Sequence, residues 1–424
     1  MRNPLRTYGW GVFLGDLFGG VIAALIALPY GLALAAFMGL PPILGLFTSL
    51  ITAPICGLLG RNPVLIGGTS TVTVPFIAAA VRAQGLAGSA KVCIAAAVIM
   101  MAFCVLKLGR HVSHVPHSVL AGFSCGIGGM MIISQLKTIF DLKAPAGGWK
   151  DSMFAQLAQT FDKIGEMHWI PTVLAVIVIV VATIAVKFIP RGPSPLFGVI
   201  VAIMVAALFG WHEKQVGRLP LEVPPFAGFT WQPSDVWNVL PQAFGLAFVT
   251  SVNLLVTSRV VDHFRGRHQH FDKEDADAEL GVYGIANIVA GMFGAPMSVG
   301  IPARSLANVQ CGGTTRVSNL LHGVVLLGFL TLGATFISQI PLAALAGVTA
   351  WMGFRLLDWS TWRRLNKMRR VDAVAFLTTA LAALLVNAIA AVAIGWSLYG
   401  VRLLVLRFMP QARFVKAAAA AEPK

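Results

Sequence analysis

The sequence predicts an all-α polytopic membrane protein of fourteen transmembrane segments, arranged as two inverted halves of seven. Three observations carry this. The 424 residues are 57% hydrophobic and only 12% charged, with a mean hydropathy of +0.78. A soluble domain holds about 25% charged residues, so this chain has too few to cover a water-facing surface. Apolar windows of about 20 residues, the length that crosses a bilayer, recur along its whole length. Finally, residues 64–82 and 296–311 are interrupted in the same way.

In order, the continuous helices are expected at 13–37, 42–60, 90–108, 117–136, 168–189, 194–211, 239–258, 276–293, 317–338, 341–355, 372–388 and 390–407. Arg2 and Arg6 precede the first of these without a small-residue cleavage site, so it reads as a retained membrane helix. The interrupted segments begin in "GLLGRNPVLIGGTSTV" from Gly57 and "GMFGAPMSVGIPARSL" from Gly291. Each shows Gly-x-x-Gly, a proline, a β-like run, then glycine and small polar residues. Each is the third segment of its half, and each is expected as a short strand plus a half-helix. A half of seven segments must insert opposite to its copy, and paired broken helices in inverted repeats point to a transport site at mid-membrane.

With the N-terminus placed inside, alternation puts most of the 32 Lys and Arg in cytoplasmic connections such as "RVVDHFRGRHQH" and "WRRLNKMRR". The net charge of +15 is therefore read as positive-inside bias, and no nucleic-acid partner is expected. Both termini are expected in the cytoplasm, with 1–12 and 408–424 as flanking tails and connections 137–167 and 212–238 facing outward. The setting is an integral, multi-pass protein in contact with membrane lipid, placed in a bacterial inner membrane.

Arg304 is a permanent cation inside an interrupted membrane segment, with no carboxylate near it in sequence. A half-helix that starts inside the membrane exposes unsatisfied N–H groups and about +0.5 of dipole charge. Two such ends beside Arg304 make an anion the natural guest. The competing reading is that Arg304 snorkels to the cytoplasmic interface or binds helix carbonyls. Thr69, Ser70, Thr71 and Thr73 can bind an oxyanion, or equally satisfy the backbone freed by the break. Asn253 and Thr257, spaced i, i+4, share one helix face as interhelical glue or as an ion or substrate contact.

No carboxylate sits at a mid-membrane position; Asp16, Glu279 and Asp372 fall near segment ends. A buried proton relay lacks its usual residue. Cys56, Cys93, Cys104, Cys125 and Cys311 have no CxxC spacing and read as small buried hydrophobes. His111, His114 and His117 lie in one connection, and His263, His268 and His270 in another, without zinc-like spacing. There is no nucleotide-binding or nucleophile motif. No metal, no cofactor and no enzymatic activity are expected.

Several ordered motifs resemble the sulfate permease family, whose animal members form solute carrier family 26. "GDLFGGVIAALIALPYGLALAAFMGLPPILGLFTSL" is similar to its first two helices, "VPHSVLAGFSCGIGGMMIISQLK" to its fifth, and "AELGVYGIANIVAGMFGAP…ARSLAN" to its "RELxxQGxANxxSGxFG…ARTxxN" stretch. "IPLAALAGV" follows in the expected place. The resemblance spans roughly 12–405. It implies a fold shared with uracil permeases, with a core of segments 1–4 and 8–11 (about 13–108 and 239–338) and a gate of segments 5–7 and 12–14 (about 115–211 and 341–407). It implies elevator-type transport of a small inorganic or carboxylate anion (sulfate, bicarbonate, chloride or a dicarboxylate), and a homodimer. The substrate set is Tyr30, Gly68, Thr69, Ser70, Thr71, Gly300, Ile301, Ala303, Arg304 and Ser305, with Asn253 and Thr257 as substrate or coupling-ion contacts.

Tyr30 replaces the family's usual glutamine, Asn253 its usual acidic residue, and Gly68–Thr69 its usual glycine–proline. Neutral oxygens at Asn253 and Thr257 leave Na+ coupling open. The STAS domain of many relatives is expected to be lacking. The alternatives are a nucleobase-type transporter on the same fold, or a scaffold or sensor that no longer transports.

Overall fold

The computed structural model describes residues 8–109, 117–145, 149, 152–190, 192–217, 231–265, 273–386, 391, 393–395 and 397. The fourteenth expected segment, 390–407, falls almost wholly outside them, as do the 408–424 tail, residues 1–7 and His111, His114, His268 and His270.

Helix α1 (Trp10–Met38) ends at Gly39, whose left-handed φ of 78° lets its N–H cap the last turn. Helix α2 (Pro42–Leu59) starts on a proline, which has no N–H to leave unsatisfied. The two cross in backbone contact, because a Cβ on Gly45 would overlap the Gly31 carbonyl. Strand β1 (Gly67–Thr69) and a 3-10 turn (Thr71–Thr73) then lead into α3 (Val74–Val105). α3 is two limbs, because Gly85 has a non-helical φ of 68° and ψ of −163°. The expected third and fourth segments are these two limbs.

α4 (His117–Ile139), α5 (Met153–Asp162), α6 (Trp169–Phe188) and α7 (Ser194–Leu208) follow, then α8 (Pro233–Phe264) and α9 (Lys273–Met292). Strand β2 (Ser298–Gly300) opens the second break and α10 (Pro302–Gln310) continues it. α11 (Arg316–Leu332), α12 (Ala334–Ser338), α13 (Leu342–Leu356), α14 (Trp359–Arg364) and α15 (Arg370–Leu385) complete the described chain. Among the described residues, six helices are long and apolar enough to cross a membrane: 10–38, 42–59, 71–105, 118–139, 169–188 and 234–262.

The helices pack as two groups. α1, α2, α3, α8, α9, α10 and α11 surround the strands, while α4 packs on α13 and α15, and α6 on α7 and α13. α1 touches α7 and α13, joining the groups. Connections assigned to one side by alternation meet each other. On one side, Lys214 pairs with Asp141 at 2.9 Å and Val216 N–H donates to Ile340. On the other, Asp16 accepts from Thr314 and Thr315 N–H, Gly109 N–H donates to Asp277, and Arg61 lies 3.8 Å from Asp275.

Two expectations change in detail. The 137–167 connection contains α5, whose Gln156 and Thr160 are buried while Phe154 and Phe161 face outward. Ten residues are too few to span a bilayer, so the hydropathy of this stretch reads as loop. The segment expected at 317–338 is not continuous, because Gly333 leaves the helical region (φ −91°, ψ 4°) and separates α11 from α12.

Candidate functional site

The two breaks form one structure. β1 and β2 pair antiparallel, with Gly67 opposite Gly300, Gly68 opposite Val299 and Thr69 opposite Ser298. All six of these residues are buried. Open backbone cannot sit in lipid, and here the strands satisfy each other inside the protein. Neighbouring helices close the remaining groups. The Asn287 side chain on α9 accepts from Ser298 N–H at 2.6 Å and donates to Ser298 C=O at 3.0 Å. Asn319 on α11 donates to Leu65 C=O at 2.9 Å, and Asn308 on α10 to Val64 C=O at 3.2 Å. Ile301 N–H donates to Ile66 C=O, and Ser305 Oγ accepts Ile66 N–H at 2.9 Å. Thr48 Oγ1 donates to Pro296 C=O at 2.8 Å.

A helix starts beyond each strand. Ser70 precedes the first and Ile301 the second, and neither start has a side-chain cap. Pro302 carries no N–H, so the unsatisfied donors of the second start are those of Ala303 and Arg304. Because the strands are antiparallel, with Thr69 opposite Ser298 and Gly300 opposite Gly67, one helix start lies beyond each end of the short ribbon and both positive ends adjoin it.

Arg304 lies behind the strands, 1% exposed. Its Nη1 donates to Ser49 Oγ on α2 at 3.0 Å, and Gly68 is what admits it, since a Cβ there would overlap both Nη1 and Ser49 Oγ. Nε and Nη2 have no hydrogen-bond partner among the described residues. The guanidinium therefore does not snorkel to an interface. A buried cation with unmet donors costs several kcal/mol, and such groups in membrane segments are functional by default.

Of the other expected site residues, Tyr30 and exposed Ala303 line a cavity of about 350 Å³ with Trp351 and Arg355, between α1 and α10 on one side and α6, α7 and α13 on the other. Ser70 and Thr71 are half-buried at the first helix start. Thr69 Oγ1 donates to Gly45 C=O at 2.9 Å, and Thr73 Oγ1 to Ser70 C=O at 2.8 Å. These two hydroxyls serve backbone. Gly300 pairs in β2, and Ser305 holds Ile66. Thr257 Oγ1 donates to Asn253 Oδ1 at 3.1 Å, a bond internal to α8.

Sequence reading missed the framework residues Ser49, Asn287, Asn308 and Asn319. Their signal was available: a single amide or hydroxyl in an apolar stretch needs a partner. What could not be read was which partner, since the contacts span as many as 255 positions.

Chemically, the arrangement offers converging N–H donors, two helix dipoles and an uncompensated cation, with no carboxylate in an ion pair to Arg304 among the described residues. Such donors and positive charge are chemically suited to an anion.

The profile of the sulfate permease family matches residues 13–379. The putative sulfate transporter YvdB of Bacillus subtilis is 25% identical over 402 residues, covering 93% of this chain and 74% of that protein. The bicarbonate transporter BicA of a Synechocystis strain is 29% identical over 395 residues, covering 90% and 68%. Among solved structures, the transmembrane domain of a cyanobacterial BicA superposes with a TM-score of 0.81 at 27% identity, covering 91% of this chain and 98% of that one. Murine Slc26a9, an anion transporter solved in an inward-facing state, superposes at 0.83 with 20% identity over 96% and 70%, a likeness of fold alone.

Proposed function

The chain belongs to the sulfate permease family, and from that premise we propose that it is a secondary transporter that binds a small anion between the helix starts at Thr71 and Ala303. It is a transporter, not an enzyme. The observation that carries the anion site is the pair of uncapped helix starts on one two-stranded sheet, with the charge of Arg304 unbalanced behind them.

Sulfate, bicarbonate, chloride and dicarboxylates are the candidate substrates. Relatives named for sulfate and for bicarbonate both lie within the same range of identity. The group of helices around the strands is the moving core, and α4, α6, α7, α13 and α15 belong to the gate. The core slides as a unit, because Asn287, Asn308 and Asn319 tie the strands and the residues leading into them to α9, α10 and α11, while among the described residues α1 is the core helix in broad contact with α7 and α13. Fourteen segments as seven plus seven, cytoplasmic termini in a bacterial inner membrane and a homodimer complete the reading. Na+ coupling stays open.

The test is uptake of radiolabelled sulfate and bicarbonate into proteoliposomes, with chloride and dicarboxylates as competitors. Saturable uptake of at least one, lost in Arg304→Glu, is expected. No saturable uptake of any anion would sink the proposal.

A further inference from the structure

The cavity that Tyr30 and Ala303 line holds a charge that the helix starts do not account for. Arg355, exposed in the last turn of α13, lines it from the gate side. No carboxylate is among the described residues of its wall, and Arg355 is in no ion pair with a described residue. The guanidinium lies 5.2 Å from the centre of the Trp351 ring. That ring is fixed in turn, since Trp351 is buried and its Nε1 donates to Thr183 Oγ1 on α6 at 3.1 Å. An aromatic face steadies a cation without neutralising it and without using its planar N–H fork.

Tyr30, on the core helix α1, is within electrostatic reach of both Arg355 and Arg304. Two cations carried by different groups of helices thus act on the same part of the cavity. Arg304 belongs to α10 and travels with the helix starts. Arg355 belongs to α13, which Trp351 and Thr183 tie to α6 within the gate. An anion at Ala303 feels Arg304 in every position of the core. It feels Arg355 only while α10 faces α13 across this cavity. An interaction present in one state and absent from the other shifts the balance between the two by its own strength.

We propose that Arg355 is a gate-borne contact for the anion that makes binding sided: it strengthens affinity at the membrane face from which this cavity is entered, and takes no part at the other face. This sidedness rests on the transporter reading and adds to it a residue outside the helix starts. An exposed unit charge a few ångströms from the anion alters affinity by about three- to tenfold. Salt screens the effect, since the charge is exposed.

Val186 lines the same cavity from α6 and supplies the probe position. Full-length protein carrying Val186→Cys, in right-side-out and in everted membrane vesicles, is labelled with an impermeant methanethiosulfonate of negative or positive charge and then purified, with the parent protein as the control for native thiols. The negative reagent should react faster, and Arg355→Gln should lower the negative-to-positive rate ratio by about three- to tenfold. Uptake of radiolabelled sulfate or bicarbonate is measured in the same two kinds of vesicle. Arg355→Gln should raise KM by that factor at the face from which Val186→Cys is labelled, and leave KM at the other face within about twofold of the parent. Arg355→Lys should stay near the parent, and Arg304→Met should raise KM at both faces. An unchanged rate ratio, or equal KM shifts at both faces in Arg355→Gln, would overturn the proposal and leave Arg355 as a charge that serves only the C-terminal end of α13. Either result, with saturable uptake by the parent, leaves the transport reading intact. No saturable uptake by the parent at either face would overturn both together.

Discussion

The two broken segments pair as equals in their backbone and differ in their side chains. The first, Gly67 to Thr73, carries hydroxyls that bond to nearby carbonyls, and its glycine at 68 leaves a gap. The second, Ser298 to Gln310, reaches across. Its Ser305 and Asn308 hold the backbone of residues 64–66, and its Arg304 fills the gap at Gly68. One segment supplies space and the other supplies charge. The lesson is that each broken segment supplies a helix start, while the buried charge beside them is that of Arg304 among the described residues.

The sharpest way to break that comparison is to remove the charge. A unit cation acting on an anion at roughly 8 Å through an effective dielectric of about 20 contributes about 2 kcal/mol, or about thirtyfold in affinity. Arg304→Met should cost that much in anion affinity, while the melting temperature holds or rises, because an unpaired buried cation is itself destabilising. Arg304→Lys should rescue partly, since an ammonium keeps the charge but not the planar fork. Calorimetric titration and thermal unfolding on the same purified variants check both. A fall in melting temperature with unchanged affinity would make Arg304 a structural element.

Space should matter nearly as much as charge. Gly68→Ala puts a methyl into the Arg304 guanidinium and Ser49, and overpacking of this kind costs about 1–3 kcal/mol. A Cβ on Gly300 would meet only the tips of Leu65 and Leu254, at 3.0 and 3.2 Å. Gly300→Ala should therefore be the milder change in both affinity and melting temperature. Equal effects would mean that the two strands are interchangeable.

This asymmetry shows what the sequence reveals and what it hides. The breaks were legible because glycine, proline and β-branched residues interrupt apolar runs, and Arg304 because a permanent charge is conspicuous among them. The division of α3 at Gly85 left the helix pattern of both limbs readable. The role of Gly68 was hidden, because a residue with no side chain carries no chemical signal of what occupies its space. The clamps were hidden for another reason. Asn287 and Asn319 look alike in sequence, yet one binds 11 positions away and the other 254. α5 was lost because two of its three buried residues, Gln156 and Thr160, are polar while Phe154 and Phe161 face outward, which blurs the pattern that marks a helix.

The clamps sharpen the comparison further. Asn287→Ala would leave both backbone groups of Ser298 buried without their partner, a loss of about 1–3 kcal/mol. Its counterpart Asn319→Ala would free only the Leu65 carbonyl, which has a second lone pair, and should cost less. Thermal unfolding should rank Asn287→Ala below Asn319→Ala. The reverse order would mean that the first strand, not the second, depends more on its helices.

The smallest effect is expected at Asn253, and it separates charge carried by the strands from charge carried by α8. Asn253 accepts one hydrogen bond from Thr257, four residues along the same helix. Such a neutral bond contributes about 1 kcal/mol, so Asn253→Ala should lower the melting temperature only slightly. An amide does not titrate, so this position cannot carry a proton through the cycle. Uptake into proteoliposomes should persist without a pH gradient in the parent protein and in Asn253→Ala alike. Asn253→Asp is the informative variant. A carboxylate placed on α8 adds a negative charge to a site whose buried side-chain cation, among the described residues, is Arg304, and it should weaken anion binding at neutral pH and restore it as the pH falls and the acid is neutralised. If Asn253→Asp binds anion equally well at high and low pH, α8 does not face the anion, and the field at the site belongs to the two broken segments alone.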